Sequence, residues 1–301
     1  MIDLVYHASY SKLALPQQHG FPITKYQHLF EYLLGHKLAI ESQFHQPQKA
    51  QPVELKQIHS PEYVTQFVNN KLSSKAIRRI GFPWSEHLKE RTLYSVNGTY
   101  KTTELALQKG IAIHLSGGYH HAHYAYGSGY CIFNDLYFAA HQLLHNKQVH
   151  NILIFDCDVH QGDGTAALAS HAPEIITASI HCDNNFPSRK QNSDYDFALP
   201  AHANDQHYLE TVEQALTLLI RLHQPDIIIY DAGVDIHQDD RLGHLNITDQ
   251  GLFKREQLVL SIAQNSGIPI AAVIGGGYDR NETSLSQRHS QLFKAANQLF
   301  A

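Results

Sequence analysis

The sequence predicts an α/β domain built on a central, mainly parallel sheet with helices on both faces. Three observations carry that expectation. Short apolar runs at residues 111–115, 151–156, 175–181, 226–231 and 269–274 are separated by stretches with helical apolar spacing. Four such runs end in glycines and ionisable residues, as strands do where an open sheet presents its carboxyl ends to a crevice. No low-complexity linker or internal repeat divides the 301 residues, so one domain over residues 1–301 is expected.

Residues 2–6 read as the first strand, followed by a loop through Gln18-His19-Gly20-Phe21-Pro22. Tyr26, Leu29, Phe30, Leu33, Leu34 and Leu38 form a helical stripe with Thr24 as its cap, and residues 43–51 read as a loop. Residues 53–58 suggest a short strand, and Ser60-Pro61 opens a helix carrying Tyr63, Val64, Phe67 and Val68. Residues 78–85 read as a break anchored by Trp84, a packing residue, before a helix centred on 96–109. Further helices are expected at 133–144, 205–222, 248–265 and 289–300.

Composition narrows the function classes. Lys plus Arg number 23 against 28 acidic residues, a net charge of -5 with no long block of either sign. That is no footprint for nucleic acid or an anionic membrane. The start lacks a signal peptide's basic and apolar regions, and no apolar run is long enough to span a membrane. Cys131, Cys157 and Cys182 are odd in number and unclustered, which suggests buried reduced thiols in a cytoplasmic protein. With 23 histidines, only clustered ones carry weight.

Four clusters at strand ends can do chemistry. In Asp156-Cys157-Asp158-Val159-His160, the Asp, Asp and His alternate, so an extended segment turns them to one side. Converging carboxylates are costly unless a cation or proton lies between them; the plainer reading is a solvated loop. Gly117-Gly118-Tyr119-His120-His121 offers two imidazoles on a flexible turn, as proton-transfer groups or as surface histidines. Asp156 and Asp163 are candidate partners that fix a tautomer, though Asp163 can equally cap the next helix. Asp235 can complete a ligand set of two carboxylates and one imidazole suited to Zn²⁺ or Fe²⁺, or serve as a turn residue. Gly275-Gly276-Gly277-Tyr278 lacks a nucleotide-binding pattern, and its phenol is either an oxyanion donor or a core tyrosine.

At these residues the chain resembles the histone deacetylase family, within the wider arginase/deacetylase fold, and is most similar to small bacterial and class IV-like members. The resemblance runs through Gly20-Phe21-Pro22, Arg79-Ile80-Gly81-Phe82-Pro83-Trp84, His120-His121-Ala122, the stretch from Gly129 to Asp135, Asp156 to His160, Gly162-Asp163-Gly164, Asp235 and Gly275 to Tyr278. It covers nearly the whole chain in the family's order, and implies a single-domain, three-layer fold.

The resemblance also implies roles. Asp158, His160 and Asp235 would hold Zn²⁺, with Fe²⁺ as the alternative. His121 would be the general acid/base, His120 an auxiliary imidazole, and Asp163 and Asp156 their respective carboxylate partners. Tyr278 would bind the oxyanion, while Gly129, Tyr130 and Phe186 would line the substrate tunnel. K⁺ as a structural ion would use the main chain of Asp156, Asp158 and His160 and the Ser179 hydroxyl. The implied reaction is removal of an acyl group from a lysine side-chain amide. The alternatives are deacetylation of small acylated amines such as acetylpolyamines, and a catalytically silent metal-containing binding protein.

Departures from the family pattern are Gln161, where many relatives carry a second His, and Tyr130, where Phe is common and where the hydroxyl would reach the pocket rim. Asp239-Asp240 adds carboxylates beyond Asp235 that would bias the site toward basic substrates, and His19 lies in a loop that could roof the pocket. The His120-His121 pair and Tyr278 distinguish the chain from the two-metal arginase branch.

Overall fold

A computed structural model of the chain describes residues 2–16 and 18–300; Met1, where the amino-terminal reading began, and Ala301 lie outside them. Among the described residues the strands are β1 (Asp3–Val5), β2 (Phe44–His45), β3 (Ile111–His114), β4 (Ile152–Asp156), β5 (Ile175–Cys182), β6 (Tyr195–Leu199), β7 (Ile227–Asp231) and β8 (Ile270–Val273). They form one sheet in the order β2-β1-β3-β8-β7-β4-β5-β6, with every neighbouring pair parallel. All carboxyl ends therefore open on one edge, and register places Asp156 beside Asp231 on one neighbour and Ser179 on the other.

The helices are α1 (Lys25–Gly35), α2 (Pro52–Leu55), α3 (Pro61–Val68), α4 (Ser74–Ile80), α5 (Glu86–Lys109), α6 (Asp135–His145), α7 (Asp163–Ala169), α8 (Asp205–His223), α9 (Asp249–Asn265) and α10 (Glu282–Phe300). Side-chain alternation divides the core between two faces of the sheet. Ile152, Ile154, Ile227 and Ile229 join Ala106 of α5 and Leu136, Ala140 and Leu143 of α6. Leu153, Phe155, Ile228 and Tyr230 belong with Val212 of α8, Leu252 of α9 and Leu292 of α10. Burial on both faces is why the central strands read as unbroken apolar runs.

Several local expectations are corrected. The strand expected at 53–58 is the short helix α2, because Pro52 suits its first turn and Glu54 accepts the Gln51 N–H at 2.7 Å. The edge strand β2 lies instead within the expected loop, pairing Leu4 with Phe44. The break at 78–85 begins only at Gly81, where α4, capped by Ser73, ends in the left-handed region at φ 89°. Ser85 accepts the Leu88 N–H and starts α5 at Glu86, well before residue 96. Thr24 stands at the cap position of α1, but its hydroxyl donates to Glu282 and makes no capping bond, and α10 begins at Glu282 rather than at residue 289.

Candidate active site

Beyond β4 the chain carries Asp158 and His160 over the sheet edge. Asp158 accepts the His160 N–H through Oδ1 and the Gly276 N–H through Oδ2, each at 2.9 Å. Asp235, from the loop after β7, accepts the Val159 N–H at 2.9 Å, while its Oδ2 is buried without a hydrogen-bond partner. His160 Nδ1 lies 2.9 Å from Asp158 Oδ1 and 3.2 Å from Asp235 Oδ2. The three donor atoms fall within 4.8 Å of one another.

Two buried carboxylates and one imidazole, with an orphaned oxygen among them, are the donor chemistry of a divalent-metal site, and the residues fit that group. Burial and the Asp158 charge push the Asp235 carboxyl up to about 7, so its ionised form calls for a cation. Gly276 leaves the room: a Cβ there would run into both carboxylates. Arg255 of α9 secures the loop by donating to the carbonyls of Gly233 at 2.6 Å and Ala232 at 3.0 Å.

The loop after β3 supplies the imidazoles. His120 Nδ1 donates to Asp156 at 2.7 Å and His121 Nδ1 to Asp163 at 2.6 Å, since a carboxylate can only accept. Their Nε2 atoms lie 3.2 Å apart. Burial alone would lower the His120 pKa, but the Asp156 and Asp158 charges outweigh it and hold it well above the ordinary value. Burial and the charge of His120 bring His121 down to about 3 against the pull of Asp163. The two shifts run in opposite directions: the carboxylates favour a charged His120, while burial and that neighbour favour a neutral His121, whose Nε2 lies beside His120 Nε2.

A cleft of about 650 Å³ leads down to these groups, with Gly129, Tyr130, Phe186 and Tyr278 among its lining residues. Phe186 meets the His121 ring edge-on at 4.7 Å. Gly129 adopts φ 52°, and a Cβ there would crowd His121 and Phe186. Tyr278 lies 6.3 Å from His160 and 6.1 Å from Tyr130, ring to ring. Burial, with the nearby Asp158 and Asp235 charges, pushes the Tyr278 phenol well up and keeps it a donor. Tyr130 packs against Phe21 and Phe82, with its hydroxyl close to Gly20.

All eleven residues assigned from the sequence thus converge on one cleft and its floor. Other placements were not foreseen. His123 shares Asp163 with His121, donating at 2.9 Å; its signal was the His120-His121-Ala122-His123 run. Asp231 is wholly buried with both oxygens unpartnered, near His120 and Asp156; burial and the neighbouring charges push its carboxyl well up. Lys25 donates to the Gly275 carbonyl at 2.8 Å, and burial brings its ammonium down to about 8 against the Asp235 and Asp158 charges. Its signal was a lysine four residues before Leu29 on the apolar stripe of α1.

The departures also find physical roles. The Gln161 amide donates to the Gln191 carbonyl at 2.7 Å and accepts the Gln191 N–H at 2.8 Å, tying down the loop before β6. His19 braces its own loop, bonding the Gly81 carbonyl at 2.8 Å and the Phe21 N–H at 3.1 Å. Asp240 turns inward to accept the Tyr278 N–H at 2.8 Å, and Asp239 pairs with Arg288. Ser179 is bonded to His181 at 3.0 Å.

The Histone deacetylase domain family matches residues 19–295. The chain belongs to the histone deacetylase family. This makes it a histone deacetylase family hydrolase, with the three-layer arginase/deacetylase fold. A Picosynechococcus protein named only as uncharacterised is 45% identical over 99% of both chains. Histone deacetylase 2 of Arabidopsis thaliana is 27% identical, over 92% of this chain and 74% of its own. The acetoin utilization protein AcuC of Staphylococcus aureus is 29% identical, over 86% and 72%. The crystal structure of a histone deacetylase homologue from Aquifex aeolicus shares the fold with a TM-score of 0.82, covering 98% of this chain and 84% of that one at 19% identity. Among the described residues, no helix is long and apolar enough to cross a membrane.

Proposed function

We propose that this histone deacetylase family member is a metal-dependent lysine deacylase. Asp158, His160 and Asp235 hold Zn²⁺ or Fe²⁺, and a structural K⁺ sits against the main chain of Asp156, Asp158 and His160 with the Ser179 hydroxyl. A divalent ion held there supplies Lewis acidity toward a carbonyl oxygen and toward water. The cleft receives the acyl-lysine stem between Tyr130 and Phe186, along Gly129. His121, neutral and oriented by Asp163, takes a proton from the attacking water at Nε2 and passes it to the departing amine. His120, charged beside Asp156, favours the neutral form of its neighbour. Tyr278 donates its phenolic hydrogen to the carbonyl oxygen as negative charge develops there. Buried reduced cysteines, found at all three positions, accord with a cytoplasmic setting.

The observation that carries this reading is the His120–His121 pair, each ring bonded to its own carboxylate, beside the Asp158, His160 and Asp235 donors, with Tyr278 at the same cleft floor. A silent binding protein needs neither the neutral His121 nor the phenol. The test is a panel of acetyl- and longer acyl-lysine peptides, with metal-replete parent and Tyr278→Phe. That substitution removes one oxyanion donor, so kcat should fall by about 10²–10³-fold with little change in KM. Near-parental kcat in the variant would take Tyr278 out of the mechanism. No turnover of these peptides by fully metal-loaded parent would remove the lysine reading and leave small acylated amines or a silent protein.

A further inference from the structure

The mouth of the cleft carries a charge that the rest of the chain does not. The chain is net acidic at -5, yet Arg78, Arg79 and Arg241 line the cleft together with His244, and no Asp or Glu does. Arg189 and Arg280 border the depressions on either side. All five arginines are exposed, and among the described residues none lies within ion-pair distance of a carboxylate.

The acidic residues nearby are already engaged. Asp163 accepts from His121 and His123, Asp240 from the N–H groups of Tyr278 and Leu242, and Asp239 and Asp279 pair with Arg288. Glu282, in the depression shared with Arg280, is bonded to Thr24 and His28. Arg79 is held in place with its guanidinium 4.6 Å from the centre of the Tyr126 ring. Of the carboxylates expected to favour basic substrates, Asp240 turns inward and Asp239, though exposed, is paired with Arg288, whereas Arg241 stands in solvent unpaired.

We propose that this mouth selects acyl-lysines presented by acidic segments of protein, with Asp or Glu within a few residues of the modified lysine. It disfavours lysine-rich tails and acylpolyamines. The inference rests on the deacylase reading above. Acylation removes the charge of the target lysine, so the charge of the flanking residues decides how the segment meets the mouth. Unpaired surface arginines raise the local concentration of an acidic partner and repel a basic one, over a range of about 8–10 Å at moderate salt.

The test uses peptides that share one central acyl-lysine and differ only in flanking Glu, Gln or Lys residues. The readout is the kcat/KM ratio within each protein, so a general loss of activity cancels. At low salt the Glu-flanked peptide should exceed the Lys-flanked one roughly tenfold, the product of a few exposed ion pairs. The ratio should shrink toward one in 0.5 M salt (roughly a 4–5 Å screening length). Each of Arg78→Ala and Arg241→Ala should lower the ratio by about 2–5-fold, and Arg241→Glu should lower it further.

Equal rates across the flanks, or a preference that survives high salt or these substitutions, would overturn the proposal while leaving the deacylase reading intact. Failure of every peptide, the Gln-flanked one included, would remove the deacylase reading itself. A free acyl-lysine bearing its α-carboxylate, assayed beside its blocked amide, separates a small anion from an acidic segment. If the small anion reproduced the whole preference, the mouth would belong to small anionic amides instead.

Discussion

At the floor of the cleft, His120, His121, Asp158, His160 and Asp235 are at most 6% exposed, and backbone or side-chain bonds hold each one. At its mouth, Arg78, Arg79 and Arg241 stand in solvent without a carboxylate partner. The same kind of side chain therefore has different consequences in the two places. Interactions at the floor are screened little, and removing one partner leaves another stranded. Interactions at the mouth are weakened by water and salt, and they adjust rates by small factors.

The largest effect should come from the floor. Asp235→Ala removes a donor from a set of three and should abolish metal retention, read as metal content after desalting. Full occupancy in the variant would remove Asp235 from the ligand set. His121→Ala should keep the metal and lower kcat by roughly 10²–10⁴-fold, the range of a general acid/base. His120→Ala should be milder at matched metal content; the reverse order would exchange their roles.

Acid sharpens the same contrast, because arginines at the mouth are charged throughout while the buried imidazoles of His59 and His114 resist taking up a proton. His59 donates to the His123 carbonyl and accepts the Asn134 N–H; His114 is bonded to Tyr10 and Thr99. Burial brings His59 down to about 4, and burial together with the Arg91 charge brings His114 down to about 3. Above pH ~6.5 both folded and unfolded forms are neutral, and the stability is fully present. As pH falls further, the unfolded chain takes up protons that the folded chain refuses. Each imidazole then costs about 1.4 kcal/mol per pH unit until its folded pKa is reached. The thermal midpoint should drop between pH 7.5 and 5 more steeply in the parent than in His59→Gln or His114→Gln; parallel profiles would show that these groups are charged or solvated in the fold.

The sequence makes the floor far more legible than the mouth. Asp156 to His160, His120-His121 and Gly275 to Tyr278 each follow an apolar run, and parallel strands bring such ends together whatever the connecting helices do. Asp231 carried no sign of its role, since its isolation depends on Gly118 and Gly275 approaching it from other segments. β6, Tyr195-Asp196-Phe197-Ala198-Leu199, alternates between more and less exposed residues at the sheet edge and lacks the branched apolar run that marked its neighbours. At the mouth, the run Asp239-Asp240-Arg241 reads as acidic by count. Only the hydrogen bonds of the folded loop show which charges it keeps and which it displays.

Asp240 and Arg241 place the two regimes side by side in one loop. Asp240 is 9% exposed and accepts three backbone N–H groups, from Leu242 and Tyr278 at 2.8 Å and from Gly243 at 3.2 Å. Asp240→Ala strands these donors and frees the backbone that aims the Tyr278 phenol. It should cost about 1–3 kcal/mol of stability, the penalty for unpaired buried groups, and lower kcat as well. Arg241 is exposed, and Arg241→Ala should change stability by less than about 0.5 kcal/mol. Denaturant midpoints of the two variants, measured beside the parent at constant m-value, read the contrast directly. Equal losses would mean that Arg241 holds the loop together, and its charge could then no longer be treated as free for a substrate.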